Sequence, residues 1–236
     1  MSNSVPARCM SLTILLVLTA ATTAPAAESS KGPNTGAKAA TPSETATAVE
    51  TLALADNLAM YGIRQNDPVA VIQAAKIKKS IPVRALEGTK KSEGGSSKGA
   101  DKSSGYDLSA DALLARAESM STGDATLQGL IKDARSTKSR GAVRGPMYGA
   151  ATLPAGNMDS YVVKFRGHEQ AAVLVSGDGD TGLDLFVTDE SGNTVCSVTD
   201  SRDAMLCLWT PQWTGPFAIH VRNLGRIYNN YELAVN

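Results

Sequence analysis

Aromatic side chains are scarce in this chain, with eleven in 236 residues, or 5%. Net charge is missing too, since 23 Lys and Arg face 23 Asp and Glu. That balance excludes a nucleic-acid binder working by bulk positive charge. Three Cys are too few for a disulfide-dense toxin, and the composition excludes a collagen or a coiled-coil rod. Histidine occurs only at His168 and His220, and there is no Cys-x-x-Cys, so neither a zinc site nor a dithiol redox centre has support. No His-Glu-x-x-His, Walker loop or dinucleotide fingerprint occurs. The one formal Gly-x-Ser-x-Gly match, Gly95-Ser-Ser-Lys-Gly99, lies in a Gly/Ser tract rather than at a strand-to-helix turn, and is rejected as a nucleophile elbow.

Long apolar runs are also absent. Leu12–Leu18 is far short of the roughly 20 residues that cross a bilayer, so no transmembrane anchor is expected. Arg8 precedes that run and Ala24-Pro25-Ala26 follows it, the pattern of a secretory signal peptide over residues 1–26. Cys9 leaves with the signal, and Cys196 and Cys207 remain as an even pair bound for an oxidising compartment. A periplasmic or secreted bacterial protein is the expectation. The mature chain holds 22 basic against 23 acidic residues, so no strong attraction to an anionic membrane follows.

Residues 27–43 are small, polar and Pro/Gly-bearing, the composition of a disordered tether. Residues 44–140 read as a helical region of two hairpins. Val49, Leu52, Leu54, Leu58 and Ala59 mark an amphipathic helix over about 44–64. Asp67-Pro68 starts a second helix, which Ile81-Pro82 ends. Ser109 caps a third helix, and Thr122-Gly123-Asp124 turns the chain into a fourth. Between the hairpins, residues 87–107 are rich in Lys, Gly and Ser and are expected to form a disordered loop. From about residue 150 the period changes to two, with seven short runs such as Tyr161–Phe165 and Leu183–Val187 separated by turns. The fold class is therefore segregated α+β: an N-terminal helical-hairpin bundle followed by a C-terminal antiparallel β-sandwich at 150–236.

Within that region, Ser176-Gly-Asp-Gly-Asp-Thr-Gly-Leu-Asp-Leu-Phe-Val187 is an Asp-rich loop running into a Leu-Asp-Leu-aromatic-Val strand. Asp189-Glu-Ser-Gly-Asn193 follows as a hairpin, and Trp213-Thr-Gly-Pro-Phe-Ala-Ile-His-Val221 as a Gly-aromatic-x-Ile-x-Val strand. These segments resemble the bacterial pre-peptidase C-terminal domain, a jelly-roll-like sandwich appended to many secreted peptidases. The resemblance spans about residues 155–236, with Gly182 where an Asp is often found, and no peptidase precedes it in the chain. It implies a jelly-roll-like fold and, as members of that family can bind calcium, a candidate calcium site.

Asp178, Asp180 and Asp184 are the candidate ligands, because a spacing of two places Asp178 and Asp180 together in a Gly-rich turn where hard oxygen donors can gather. The alternative is that these Asp and Gly residues simply form the turn. Trp213 is a candidate ligand-stacking residue, its alternative being a plug of the core's end, whereas Trp209 falls in phase with Cys207 and Met205 as core. His168 and His220 read as surface residues, and the lysines from Lys76 to Lys102 as a solvated charge run. The function expected is a non-enzymatic exported module binding an envelope protein or polysaccharide. An accessory domain acting with a peptidase or other hydrolase comes second, and an enzyme third. Cys196 and Cys207 are expected to pair on a hairpin with their strands side by side, stabilising by roughly 2–3 kcal/mol. The mature chain should weigh ~2 Da less than its reduced form and show no alkylatable thiol before reduction.

Overall fold

The computed structural model describes residues 1, 32–36, 38–94, 105–139, 145–199 and 204–236. The expected signal peptide at 1–26 lies outside the described residues apart from Met1. Four helices come first: α1 (Glu44–Gln65), α2 (Pro68–Ser80), α3 (Ala110–Met120) and α4 (Ala125–Ser136). Two short strands, β1 (Arg84–Ala85) and β2 (Lys90–Gly94), lie between α2 and α3. Eight more follow: β3 (Met147–Leu153), β4 (Asn157–Phe165), β5 (Ala171–Gly177), β6 (Leu183–Thr188), β7 (Thr194–Val198), β8 (Ala204–Trp209), β9 (Gly215–Asn223) and β10 (Asn229–Val235).

Each helix begins where a short polar side chain replaces a missing intrahelical acceptor. Ser43 accepts from the Ala46 amide, Asp67 from Val69 and Ala70, Ser109 from Ala112, and Asp124 from Thr126 and Leu127. Asn66 closes α1 in the left-handed conformation at φ 53°, and its amide donates to the Gly62 and Ile63 carbonyls. Gly62 is where α2 crosses α1 most closely: a Cβ there would sit 2.9 Å from both Ala70 Cβ and Val71 Cγ2. The helices share an apolar interior of Met60, Ile63, Val71, Ile72, Leu113, Leu114 and Ile131.

The strands form two five-stranded sheets, a first in the order β1-β3-β10-β5-β8 and a second in the order β2-β4-β9-β6-β7. Taken alone, β3 to β10 follow the jelly-roll order, and all their pairings are antiparallel. Between the sheets lie Val163, Leu185, Val187, Ile219 and Val221 of the second, against Val173, Val175, Met205 and Leu233 of the first. Phe165, Trp209 and Phe217 close one part of this core with edge-on and tilted contacts at 4.9–5.7 Å between centroids. Trp209 is thus core, as its phase predicts.

The helices cover the outer face of the first sheet. Every residue of β5 is buried, because Ala171, Val173 and Val175 face the sandwich while Ala172 and Leu174 face Ala46, Val49, Leu52 and Ala53 of α1. A strand buried on both faces loses its polar alternation, which is why Ala171–Val175 is uniformly apolar. The contact between layers includes a buried charge cluster. Lys78 Nζ of α2 lies 2.6 Å from Asp56 Oδ1 of α1 and 2.6 Å from Glu232 Oε2 of β10. Ser176 of β5 donates to the other Asp56 oxygen at 2.5 Å, and the Tyr148 hydroxyl of β3 donates to Glu232.

Three expectations require correction. The stretch 27–43 is not a loose tether throughout. Asn34 is fully buried: its amide donates to Asp189 Oδ2 at 2.8 Å, and its side chain both donates to the Trp213 carbonyl and accepts from the Gln212 and Trp213 amides. The stretch 87–107 contains β2, an edge strand pairing antiparallel with β4. Low hydrophobicity suggested disorder there, but Lys90 and Ser92 supply an ammonium and a hydroxyl at 3.1 Å and 2.5 Å to the buried Asp159 carboxylate. Residues 95–104 lie outside the described residues. Finally, Cys196 and Cys207 form the disulfide with Cα atoms 5.9 Å apart, but not between strands paired side by side. β7 pairs with β6 and β8 with β5, so the bridge ties the two sheets together at an edge of the sandwich.

Lys78→Ala is expected to cost about 3–5 kcal/mol in urea denaturation, because it leaves two buried carboxylates facing each other uncompensated. The triple replacement Asp56→Leu, Lys78→Met and Glu232→Leu should retain most of the parent stability, separating loss of charge balance from loss of packing.

Candidate functional site

The charge cluster forms one end of a cleft. Segment 105–108 leads into α3 and runs beside the end of β5, where the Tyr106 amide donates to the Asp178 carbonyl at 2.8 Å. Leu108 anchors it in the helical interior at 3% exposure. Between this segment and the strands β3, β10 and β5 is a cavity of about 300 Å³. Its floor is β-sheet: Ala150 pairs with Glu232 and Thr152 with Asn230 in register. Thr152 and Asn230 are exposed and hydrogen-bonded to each other at 2.7 Å. Tyr106 and Asp107 wall one side, and Ser176 and Glu232 line the part nearest α1 and α2.

The electrostatics of the cleft follow from its buried end. Asp56 and Glu232 are two carboxylates sharing one ammonium. Burial pulls the Lys78 pKa down, but attraction to both carboxylates and their hydrogen bonds outweigh it, so the net shift is upward and Lys78 stays charged. Burial pushes the Glu232 carboxyl up, against the pull of Lys78 and with the repulsion of Asp56. Burial and the neighbouring Glu232 carboxylate hold the Tyr148 phenol far above its ordinary range, so it remains a protonated donor. Asp107 adds a further carboxylate, exposed at the rim.

The three sequence-predicted calcium ligands occupy different settings. Asp178 Oδ2 accepts from the Asn230 amide at 2.7 Å, so this loop supports both the floor and the wall of the cleft. Asp180 Oδ1 lies 3.5 Å from Asn229 Nδ2. Asp184 is on β6, paired with Arg222 of β9 at 2.6 Å. Among the described residues, no group of three or more His, Cys, Asp or Glu is arranged to hold a metal ion. Trp213 is half-buried, and its indole N–H donates to Glu190 Oε1 at 2.5 Å while Asn34 brackets its backbone. Sequence reasoning therefore reached the loops at the ends of the sandwich but missed Asp56, Tyr148, Ser176 and Glu232, and it took Lys78 for part of a solvated charge run although two carboxylates hold it buried. A signal was present: Asp56 falls in phase with Leu52, Ala59 and Met60 on the buried side of α1, and Glu232 sits between Tyr231 and Leu233 within a buried strand.

His220 has hydroxyl partners, Ser160 Oγ at 2.9 Å and Thr188 Oγ1 at 3.3 Å, and packs by Phe186. Burial lowers its pKa, with Glu93 opposing. It lines neither the cleft nor a second cavity of about 910 Å³, where Arg84, Lys164 and Arg166 mix with Glu87 and Glu169. His168 is exposed in a turn at φ 63°.

No family model matches the chain, and no curated protein does. Among solved structures it is similar to the pre-peptidase C-terminal domain of collagenase from Bacillus anthracis, at 16% identity over 39% of this chain and 89% of that one, with a TM-score of 0.35. It is similar to a de novo designed double-stranded β-helix at 16% identity, over 38% of this chain and 97% of that one, with a TM-score of 0.25. A family GH115 4-O-methyl-α-glucuronidase with specificity for decorated arabinogalactans matches at 9% identity, over 56% of this chain and 26% of that one, with a TM-score of 0.28.

Outside the cleft, Asp189 fixes the Asn34 segment through an acid-sensitive contact. Burial raises its pKa, but donation from Asn193, from the Asn34 amide and from Ser191 outweighs this and lowers it below 3.8. A carboxylate with a depressed folded pKa contributes stability above its unfolded value and loses it as pH falls through the folded value. The melting temperature should therefore fall more steeply below about pH 4 in the parent than in Asp189→Asn, measured by circular dichroism between about pH 7 and pH 2.5.

Proposed function

We propose that this chain is an exported, non-catalytic binding module that takes part of an envelope protein or polysaccharide into the cleft beside Glu232. The observation that carries the reading is the cleft itself. Its volume of about 300 Å³ is at the small end of ligand sites, and its floor is a rigid sheet rather than a loop. Tyr106 supplies an aromatic wall and Thr152, Asn230 and Asp107 supply accessible polar groups. A binding role is favoured over chemistry because the reactive groups are already committed. At the cleft, Ser176 is hydrogen-bonded to Asp56 and Lys78 is held between two carboxylates, so both serve the contact between helices and sheet. The Cys196–Cys207 disulfide fits an oxidising compartment, and among the described residues no helix is long and apolar enough to cross a membrane.

The test is to display envelope glycans and peptides on an array and to compare the mature chain with Ala150→Trp. Ala150 is exposed on the cleft floor, so a large side chain there fills the cavity without disturbing the sandwich core. Ligands of the parent should bind at least tenfold more weakly to the variant, with an unchanged melting temperature. Equal binding by both would place the site elsewhere, and turnover of a bound ligand, seen by mass spectrometry, would make the chain an enzyme.

A further inference from the structure

Resting on that reading of the cleft, the geometry points to its ligand class: we infer that the cleft accepts the alkylammonium side chain of a protein partner, as a lysine would present it. Two of the residues lining it, Asp107 and Glu232, are carboxylates, and among the described residues none of its lining is Lys, Arg or His. The remaining polar groups, Thr152, Asn230 and Ser176, are neutral. The charge behind the wall does not reverse this sign, since the Lys78 ammonium is already shared by Asp56 and Glu232. Among the described residues Arg116 lies by the rim, its guanidinium over the Tyr106 ring at 4.6 Å. An anionic ligand would meet the Asp107 carboxylate at the rim, and a neutral sugar would leave that charge unused.

The shape fits a cation on an apolar stem. Ala150 and the Tyr106 ring offer an apolar passage, with the Asp107 carboxylate beside it and Glu232 beyond. A lysine side chain buries its methylenes along such a surface while its head group reaches the oxygens. A charge-assisted contact to the exposed Asp107 then gives the cleft its selectivity.

The experiment follows the backbone amides of the ¹⁵N-labelled mature chain by NMR. The probes are a blocked Gly-Lys-Gly peptide, its Nε-acetylated twin and a neutral oligosaccharide. The lysine peptide should shift Tyr106, Ala150 and Asn230 in a saturable manner, at least tenfold more tightly than the acetylated twin. Asp107→Asn keeps the acceptor for the Ser109 amide and should weaken the lysine peptide at least threefold, as should raising the salt. Equal binding of all three probes in the cleft would overturn the cationic assignment and leave the cleft as a neutral site. Shifts confined to other surfaces, or none, would overturn the assignment and the cleft reading together.

Discussion

The Lys78 ammonium, set between Asp56 and Glu232, is the contact on which the arrangement of the molecule turns. Burying three charges carries a large desolvation cost, and such a cluster is tolerated only where every oxygen and N–H is matched in geometry. Here the matching partners come from two helices and three strands: Asp56 from α1, Lys78 from α2, Tyr148 from β3, Ser176 from β5 and Glu232 from β10. Sliding the helices along the sheet by one turn would leave Ser176 and Glu232 facing apolar side chains. The apolar contacts of Val49, Leu52 and Ala53 with Ala172 and Leu174 supply adhesion, whereas the charges supply position.

The same device recurs at the ends of the sandwich. Asp159 is wholly buried and collects Lys90 and Ser92 from β2 and the Tyr231 hydroxyl from β10, with Tyr161 donating onward to Tyr231. Asp189 collects the Asn34, Ser191 and Asn193 amides. In each case one inward carboxylate holds a polar segment that has no apolar side chains to bury. Composition alone marks such segments as loose, and the partner that orders them is more than sixty positions away.

This explains where the sequence could be read and where it could not. The helix starts at Ser43, Asp67, Ser109 and Asp124 are local signals, and all four are caps in the structure. The seven alternating runs from Tyr161 onward are strands, because half-burial leaves a period of two. β3 was less legible, since Met-Tyr-Gly-Ala-Ala-Thr-Leu has few β-branched residues and takes its order from β10 beside it. β1 and β2 carried no local signal and exist through their neighbours β3 and β4. The cleft was illegible for the same reason. Tyr106, Ala150 and Asn230 are unremarkable until topology sets them around one cavity.

The position of β10 has a kinetic corollary. This strand lies between β3 and β5 in the first sheet, turns Tyr231 into the sandwich, and turns Glu232 toward a lysine 154 positions earlier. Contacts of such long sequence separation form late and slowly, because the chain between them must be ordered first. The helices can gather early from local contacts, yet their docked register is defined only once β10 is in place. Until then the sheet-facing apolar surface of the helices and the Lys78 ammonium stay in water, so the docked helical layer and the closed sheet form together.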